Sequence, residues 1–316
     1  MALAIETRDL QRRYSGDVLA VAGVDLAVET GEIYAFLGPN GAGKTTTVRM
    51  LTTLLRPTGG SASVAGHDVV SDAGAVRRSI GVALQEAALD PLMTGRELMR
   101  LQATLHGIRG AEAARRADDL LERVGLVQAA DRRVGTYSGG MRRRLDLGAA
   151  LVHQPSVLFL DEPTTGLDLT SRLALWDEVR RLNREGGTTV FLTTQYLEEA
   201  DQLADRVGII DDGRMAAEGT PASLKAEVGR PHLELSVAGD STERATEVLA
   251  RFGELLPGRN GLLMIGLDRG AGGVAPIVRA LDDAGLVVEH LDVVRPTLDD
   301  VFAEKTGRRL EGADTA

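Results

Sequence analysis

The chain has 316 residues, 43% of them apolar and 26% charged, which is enough apolar material for a full-sized globular core. Its formal net charge is −10, and an acidic surface argues against a nucleic-acid partner, because phosphate contacts need clustered Lys and Arg. Cysteine is absent, which excludes disulfides and thiolate metal sites. No apolar stretch has the length of about 20 residues that a membrane-spanning helix needs. The charged N-terminal residues predict no secretory leader.

The first part of the chain predicts strands. LAIETRDLQRRY and VLAVAGVDLAVET alternate apolar and polar residues, as half-buried strands do. EIYAFL is a compact apolar run typical of a buried central strand, and it stops at the glycine-rich GPNGAGKTTTVRML.

A helical insertion is predicted next, over residues 87–135, and we expect the helical subdomain to reach about residue 150. Leu98, Leu101 and Leu105 recur at helical spacing. A second set of apolar residues follows the same rule: Ala117, Leu120, Leu121 and Val124. Beyond the insertion, the buried strands SVLFLDEP and TTVFLTT alternate with the helix TSRLALWDEVRRLNREG, which implies a mainly parallel sheet.

The pattern restarts near residue 231, after a linker predicted around 220–230. Strands in HLELSVAG, GLLMIGL and LVVEHLDVV alternate with helices, and this run is long enough to bury a small core of its own. We therefore expect an ATPase-sized domain over 1–222, a small C-terminal α/β domain over 223–308 and a disordered tail over 309–316. The small domain is predicted either to sense a ligand or to serve as an interaction surface or dimer support, and the second interpretation is slightly favoured.

GPNGAGKT, from Gly38 to Thr45, matches G-x-x-x-x-G-K-[ST] between a predicted strand and a predicted helix. Glycines allow the backbone N–H groups to curl around phosphates, and the helix N-terminus adds its positive end. Lys44 is one of only three lysines, and it is placed to reach the β- and γ-phosphates, while the Thr45 hydroxyl is placed to ligate Mg²⁺. The complete motif in this context disfavours an accidental glycine-rich turn.

Two adjacent carboxylates, Asp161 and Glu162, end the strand VLFLDEP. They are placed at the carboxyl edge of the sheet, where open α/β folds bind ligands. Because two such neighbours repel and are costly to bury, a capping role is less favoured than a chemical one. Asp161 is the candidate for holding Mg²⁺, and Glu162 for polarising the attacking water.

The stretch TYSGGMRRRLDLGAALVHQPSVLFLDEPTTGLD resembles the nucleotide-binding subunits of ABC transporters. Their signature begins Leu-Ser-Gly-Gly-Gln, whereas this chain has Tyr137-Ser138-Gly139-Gly140-Met141. The resemblance implies a P-loop NTPase fold of the ABC type, with a mainly parallel sheet core, an antiparallel β subdomain and a helical subdomain. It also implies ATP and Mg²⁺ as cofactors, and homodimerisation on ATP binding.

The resemblance further implies the roles of individual residues. Nucleotide contacts are expected from the stacking aromatic Tyr14, from the phosphate loop and from the signature: Gly38, Pro39, Asn40, Gly41, Ala42, Gly43, Lys44, Thr45, Thr46, Gln85, Ser138, Gly139 and Gly140. Metal contacts are expected from Thr45, Gln85 and Asp161. Catalytic roles are expected for Glu162, for Gln195 and for Asp168 in the loop PTTGLD.

Four further segments resemble the daunorubicin/doxorubicin-resistance type of ABC ATPase: VALQEAALDPLMTGREL, YSGGMRRRLDL, TTQYLEEADQLADR and RPTLDDVFAEKTG. This resemblance implies the ATP-hydrolysing subunit of a bacterial exporter of drug-like or antibiotic compounds. We expect a separate polytopic membrane permease to bind most of the cargo and to hold the chain at the cytoplasmic face of the membrane. The alternative is a soluble ABC-type ATPase that does not transport, but its usual long coiled-coil insertion or second cassette is absent from the sequence.

Gln195 stands where most ABC ATPases have a histidine that contacts the γ-phosphate. Its amide keeps an N–H donor and a C=O acceptor but cannot gain a charge near neutral pH. We therefore expect Gln195 to sense γ-phosphate without acting as an acid or a base. The competing interpretation is a helix-start residue, although glutamine is not a favoured cap.

Overall fold

The computed structural model describes residues 2–85, 89–238, 241–256, 262–267 and 270–308. The predicted tail at 309–316 lies outside these residues. The chain divides into two compact units, and the boundary between them falls between Pro221 and Ala222. Within the described residues, no helix is both long enough and apolar enough to cross a membrane.

The first unit contains an antiparallel sheet of four strands in the order β2-β1-β4-β5. Its strands are β1 (Leu3–Arg13), β2 (Leu19–Glu29), β4 (Gly59–Val64) and β5 (His67–Asp68). The two long strands coincide with the alternating stretches of the sequence. Ile5 and Leu10 of β1 and Val24 of β2 are completely buried, so one face of this sheet contributes to the core.

A six-stranded sheet forms the centre of the first unit, in the order β10-β9-β3-β8-β7-β6. Its strands are β3 (Ile33–Leu37), β6 (Ile80–Ala83), β7 (Val157–Asp161), β8 (Thr189–Thr194), β9 (Arg206–Asp211) and β10 (Arg214–Gly219). All neighbours pair in parallel except β10, which pairs antiparallel with β9 at the edge. The mainly parallel sheet predicted from the sequence is confirmed.

The register of the central strands brings four chain segments to one edge. Leu37 pairs with Thr194, and Asp161 pairs with Thr193, at the ends of β3, β8 and β7. Ala83, the last residue of β6, pairs with Leu160. Because these strands are parallel, the residues that follow each of them meet at the same carboxyl edge.

The described part of the first unit contains the α-helices α1 (Lys44–Leu51), α2 (Ala73–Ser79), α3 (Gly95–Leu105), α4 (Gly110–Arg123), α5 (Gly139–Ala150), α6 (Leu169–Gly186) and α7 (Leu197–Leu203), and α8 (Pro221–Val228) begins at its last residue before the boundary. Helices α3, α4 and α5 contact one another and make up the helical region. The apolar residues predicted to form the buried face of α4 are buried. For α3, the predicted buried face is wrong in part. Leu98 is buried with Met99 and Ala103, whereas Leu101 and Leu105 are 44% and 69% exposed.

The second unit has an antiparallel four-stranded sheet in the order β12-β13-β11-β14. Its elements are β11 (His232–Val237), α9 (Thr242–Leu249), β12 (Leu255–Leu256), β13 (Leu263–Gly266), α10 (Val274–Asp283), β14 (Val288–Val294) and α11 (Leu298–Thr306). α9 joins β11 to β12, and β13 lies between them. α10 joins β13 to β14, and β11 lies between those. Strands joined by a helix therefore run the same way, yet every adjacent pair is antiparallel.

Candidate active site

Lys44 is the first residue of α1, directly after the loop that follows the buried strand β3. Its side chain is 4% exposed, and its ammonium donates to the carbonyls of Gly38 at 2.7 Å and Pro39 at 3.1 Å. The loop thus wraps around its own lysine. This arrangement aims the N-terminus of α1 and the lysine charge at the same space, which suits an anionic ligand.

Two glycines of the loop are required by close backbone approach. A Cβ at Gly38 would lie 2.4 Å from the Ile210 carbonyl oxygen, and one at Gly43 would lie 2.5 Å from that of Ala20. Gly43 also has φ 107°, a left-handed conformation that non-glycine residues seldom adopt. The shape of the loop therefore depends on contacts with neighbouring strands as well as on its own turns.

Asp161 ends β7 beside the start of α1. Its Oδ1 accepts from the Thr193 hydroxyl at 2.6 Å and from the Thr45 hydroxyl at 3.3 Å. Its Oδ2 is buried and has no partner. An orphaned buried carboxylate oxygen next to a threonine hydroxyl fits a hard divalent cation such as Mg²⁺.

Among the described residues, no three His, Cys, Asp or Glu side chains form a cation site by themselves. A metal here would have to take part of its coordination from a ligand, as Mg²⁺ does with nucleotide phosphates.

Glu162 faces the same space from a strained backbone. Its φ is 47°, and its N–H donates to the Thr193 carbonyl at 3.1 Å. One carboxylate oxygen accepts from Gln85 and from Thr165, each at 3.3 Å. The other lies 3.3 Å from the Lys44 ammonium. The Glu162 carboxylate is thus contacted by Lys44, Gln85 and Thr165, which follow the strands β3, β6 and β7 respectively.

A cavity of about 230 Å³ contains most of the predicted phosphate loop. It is lined by Ala20, Pro39, Asn40, Gly41, Gly43, Lys44, Thr45, Thr46, Gln85 and Glu162. Burial lowers the pKa of Lys44, and the nearby carboxylates Glu162 and Asp161 raise it in opposition. The cavity therefore combines buried charges of both signs with the start of a helix.

The signature residues and Tyr14 do not line this cavity. Ser138 is the N-cap of α5 and accepts from the Met141 N–H at 3.2 Å, and both Ser138 and Gly139 are exposed. A Cβ at Gly140 would lie 2.8 Å from the Ser171 hydroxyl oxygen. Tyr14 is 36% exposed, with the Arg12 guanidinium 4.9 Å from its ring centroid. These groups present open surfaces rather than a closed pocket.

Asp168 acts as a helix cap. It precedes α6 and accepts from the Ser171 N–H at 2.9 Å and from the Ser171 hydroxyl at 2.8 Å. These hydrogen bonds lower the pKa of Asp168. Its predicted part in catalysis stays a prediction, because capping alone accounts for these two hydrogen bonds.

Gln195 follows β8 and lies before the helix, not in it. α7 begins at Leu197 with Tyr196 as N-cap, so Gln195 is not the cap. The preceding carbonyl, of Thr194, accepts from the Gly38 N–H at 3.3 Å. Gln195 therefore follows directly on a backbone contact with the phosphate loop, at the edge that carries Asp161 and Glu162.

Two site residues were not predicted from the sequence. Thr193 binds Asp161 through its hydroxyl and Glu162 through its backbone, and its only sequence signal is its place at the end of a buried strand. Arg143 donates to the carbonyls of Asp161 and Pro163. It is the second of three consecutive arginines, and nothing in that run distinguishes it.

Comparison with known proteins agrees with this site. The family model described as ABC transporter matches residues 21–165, which include the phosphate loop and both strand-end carboxylates. The daunorubicin resistance ATP-binding protein DrrA3 of Streptomyces coeruleorubidus is 49% identical over 98% of both chains. The chain belongs to the ABC transporter ATP-binding subunits.

Two further similarities support this membership. The daunorubicin/doxorubicin resistance ATP-binding protein DrrA of Streptomyces peucetius is 46% identical over 99% of this chain and 95% of that one. A dimeric ATP-binding cassette solved in a post-hydrolysis state with ADP and Pi superposes with a TM-score of 0.64 at 26% identity, over 68% of this chain and 98% of that one. This ABC subunit therefore binds and hydrolyses ATP, and the predicted family and fold class are confirmed.

Proposed function

We propose that this ABC subunit powers the export of a drug-like or antibiotic compound through a separate membrane permease. The observation that carries the proposal is the similarity, over 98% of both chains, to a protein named for daunorubicin resistance. The match includes the C-terminal unit as well as the ATPase unit, so it concerns this type of exporter subunit and not only the common cassette.

The cavity at the sheet edge supports a specific assignment of roles. Lys44 and the N–H groups of the phosphate loop bind the ATP phosphates, and the exposed ring of Tyr14 stacks on adenine. Thr45, Asp161 and Gln85 hold Mg²⁺, which supplies positive charge against the phosphates when it is bound. Glu162 orients the attacking water, and Gln195 hydrogen-bonds the γ-phosphate without titrating.

A homodimer completes each site. Ser138 and Gly139 are exposed and Gly140 is half-buried at the N-terminus of α5, a helix of 12 residues, where backbone N–H groups can bind an anion. They stand outside the cavity that contains Lys44 of the same chain. We therefore assign them to the ATP of the partner subunit, with Asp168 in the loop between the two sites.

A groove of about 440 Å³ in the first unit supports docking of the permease. It is lined by Thr52, Leu54, Arg77, Ile80, Val82, Leu84, Leu89, Gln102, His106, Asp146, Ala149, Ala150 and His153. Leu54 is 59% exposed, and Leu84 directly precedes Gln85 of the active site. We propose that a cytoplasmic helix of the permease occupies this groove and holds the subunit at the cytoplasmic face of the membrane.

The division of the chain supports separate roles for its two parts. We propose that residues 1–222 act as the ATPase domain, with the helical subdomain over about 87–150, and that residues 223–308 act as an interaction domain. Loss of the second part should then reduce resistance while leaving ATP binding in place.

Reconstitution with the permease tests the proposal. The chain and a candidate polytopic permease are placed together in inverted vesicles, and ATP-dependent uptake of fluorescent doxorubicin is followed. Uptake is expected with the wild-type chain and absent with Glu162→Gln. Robust hydrolysis without uptake of any of a panel of amphipathic compounds, and without co-purification of the permease, would contradict the exporter role.

A further inference from the structure

Arg143 lies in the second turn of α5 and is almost completely buried, with 9% of its surface exposed. Its guanidinium donates from Nε to the Pro163 carbonyl at 2.9 Å and from Nη2 to the Asp161 carbonyl at 2.8 Å. Its Nη1 donates to the Leu84 carbonyl. All three are backbone acceptors outside the helix that carries Arg143.

These carbonyls are placed around the reacting edge. The Asp161 carbonyl belongs to the peptide bond between Asp161 and Glu162, and the Pro163 carbonyl lies one residue after Glu162. The Leu84 carbonyl belongs to the peptide bond between Leu84 and Gln85. One side chain therefore holds the backbone on both sides of Glu162 and at the start of Gln85.

Glu162 needs such support because its backbone is left-handed, at φ 47°. A non-glycine residue stays in that conformation only where its surroundings hold it there. A planar guanidinium suits this role, since its fixed fork can satisfy several acceptors at once, whereas a lysine ammonium cannot reproduce that geometry.

The signature residues Ser138 to Gly140 form the start of α5, one turn before Arg143. The first turn of the helix thus carries the residues assigned above to the partner's ATP, and the second turn, through Arg143, contacts the backbone beside Glu162 of the same chain. A small displacement of α5 would move the hydrogen bonds that fix Glu162 and Gln85.

We propose that Arg143 is a positioning residue that couples the signature helix of each subunit to the orientation of Glu162 and Gln85 in that same subunit. The proposal rests on the roles given above to Ser138 and Glu162. Engagement of the signature with one ATP would then adjust the geometry of hydrolysis at the other ATP of the dimer.

The alternative is that Arg143 is needed only to neutralise Asp146, which lies one turn further along α5. Their charged atoms are 3.5 Å apart, longer than the contacts to the Pro163 and Asp161 carbonyls. If charge alone matters, Arg143→Lys should behave like the wild type. If the planar hydrogen-bonding geometry of the guanidinium matters, Arg143→Lys should lose turnover although it keeps the charge.

Arg144 provides a matched control in the next position of the helix. It donates to the carbonyls of Val124 and Gly125 at 3.3 and 3.5 Å, and both lie beside α4 in the helical region. Arg144→Gln therefore removes an arginine that also binds backbone carbonyls, but not those beside Glu162.

The test compares Arg143→Gln, Arg143→Lys and Arg144→Gln in the full-length chain. The number of sites that bind a fluorescent ATP analogue is measured first, and kcat is expressed per binding site, which removes the effect of any misfolded fraction. We expect both Arg143 variants to lose about tenfold or more in kcat per site, because a shift of about 1 Å at a reacting group has effects of that order. Their Kd for the analogue should stay within about twofold, and Arg144→Gln should match the wild type in both values.

Unchanged kcat per site in either folded Arg143 variant would overturn the proposal, and so would equal losses in Arg143→Gln and Arg144→Gln. If Arg143→Gln yields no binding sites, Arg143→Lys decides. If neither yields binding sites, Arg143 is required for folding, which overturns a role limited to positioning. Glu162→Gln is measured in parallel: wild-type turnover there would refute the proposed chemistry, whereas an inactive Glu162→Gln beside an active Arg143→Gln would refute only the coupling.

Discussion

The Lys44 ammonium and the Glu162 carboxylate lie 3.3 Å apart, with side chains only 4% and 6% exposed. Burial lowers the pKa of Lys44, and the charges of Glu162 and Asp161 oppose that shift. Each buried charge therefore depends on the other for compensation. Substitutions of the two residues should nonetheless have different effects, because Lys44 belongs to the phosphate loop after β3, whereas Glu162 faces that loop from the end of β7, on the far side of β8.

Glu162→Gln is expected to remove turnover while sparing nucleotide binding. The amide keeps the shape of the carboxylate and can still contact Gln85 and Thr165, but it cannot polarise water as a base. The loss in kcat should be about 10²- to 10⁴-fold, as for other general bases. Phosphate release measures turnover, and size-exclusion chromatography with ATP and Mg²⁺ should show a persistent dimer. Glu198→Gln, on the exposed first turn of α7, is the control and should hydrolyse ATP normally.

Lys44→Ala should instead weaken nucleotide binding itself. It removes the ammonium that donates to the Gly38 and Pro39 carbonyls and leaves Glu162 as an uncompensated buried charge. A lost charge-assisted contact corresponds to roughly a tenfold to hundredfold increase in Kd. Titration with a fluorescent ATP analogue measures this, and Lys225→Ala in α8 serves as the lysine control. Binding at wild-type affinity would show that Lys44 does not contact the phosphates.

The chemistry of the site could largely be predicted because it is local in sequence. Gly38 to Thr45 form one continuous loop, and Asp161 and Glu162 end one strand. The carboxyl ends of parallel strands lie at the same edge of a sheet. The predicted sheet therefore implied that the phosphate loop and the two carboxylates lie close together. Gln85 was expected at the site only from the family resemblance, as a metal and water contact, and its hydrogen bond to Glu162 was not predicted.

Other features depended on packing that spacing does not determine. Helical periodicity places Leu98, Leu101 and Leu105 near one face of α3, but the neighbouring helices cover Leu98, Met99 and Ala103 instead. Arg143 meets carbonyls 18 to 59 residues away in sequence, which a run of three arginines cannot indicate. In the second unit, the alternation of strands and helices in the sequence does not determine the order of the strands in the sheet. It cannot show which strand lies between two strands that are joined by a helix.

Gln195→Ala is expected to lower hydrolysis by about tenfold to hundredfold, the cost of losing one hydrogen bond to a charged group. Gln195→His should remain active, because an imidazole nitrogen can replace the amide donor. Steady-state kcat measures both effects, with Gln202→Ala on the exposed face of α7 as the control. Unchanged hydrolysis in Gln195→Ala would refute the γ-phosphate contact. Loss of activity in Gln195→His would show that the position requires an amide.

Asp146 should make the first unit less stable as pH rises. Burial raises the pKa of Asp146 to about 6, although the Arg143 guanidinium lowers it in part. Because this value lies above the 3.8 of an exposed aspartate, the stability gained from the protonated form is complete below about pH 4 and is lost as pH rises through about 6.

Asp146→Asn should remove this dependence. The free energy of unfolding of the variant relative to the wild type should increase by roughly 1 to 3 kcal/mol between pH 4 and pH 7. Trp176, the only tryptophan, is buried in the first unit and reports its unfolding in urea by fluorescence. The groove histidines His106 and His153 are present in both proteins, so their titration should largely cancel in the comparison. Asp119→Asn, on the exposed face of α4, should show no such trend. A stability difference that stays constant over this pH range would mean that the pKa of Asp146 is not raised in the folded chain, because Arg143 offsets the effect of its burial.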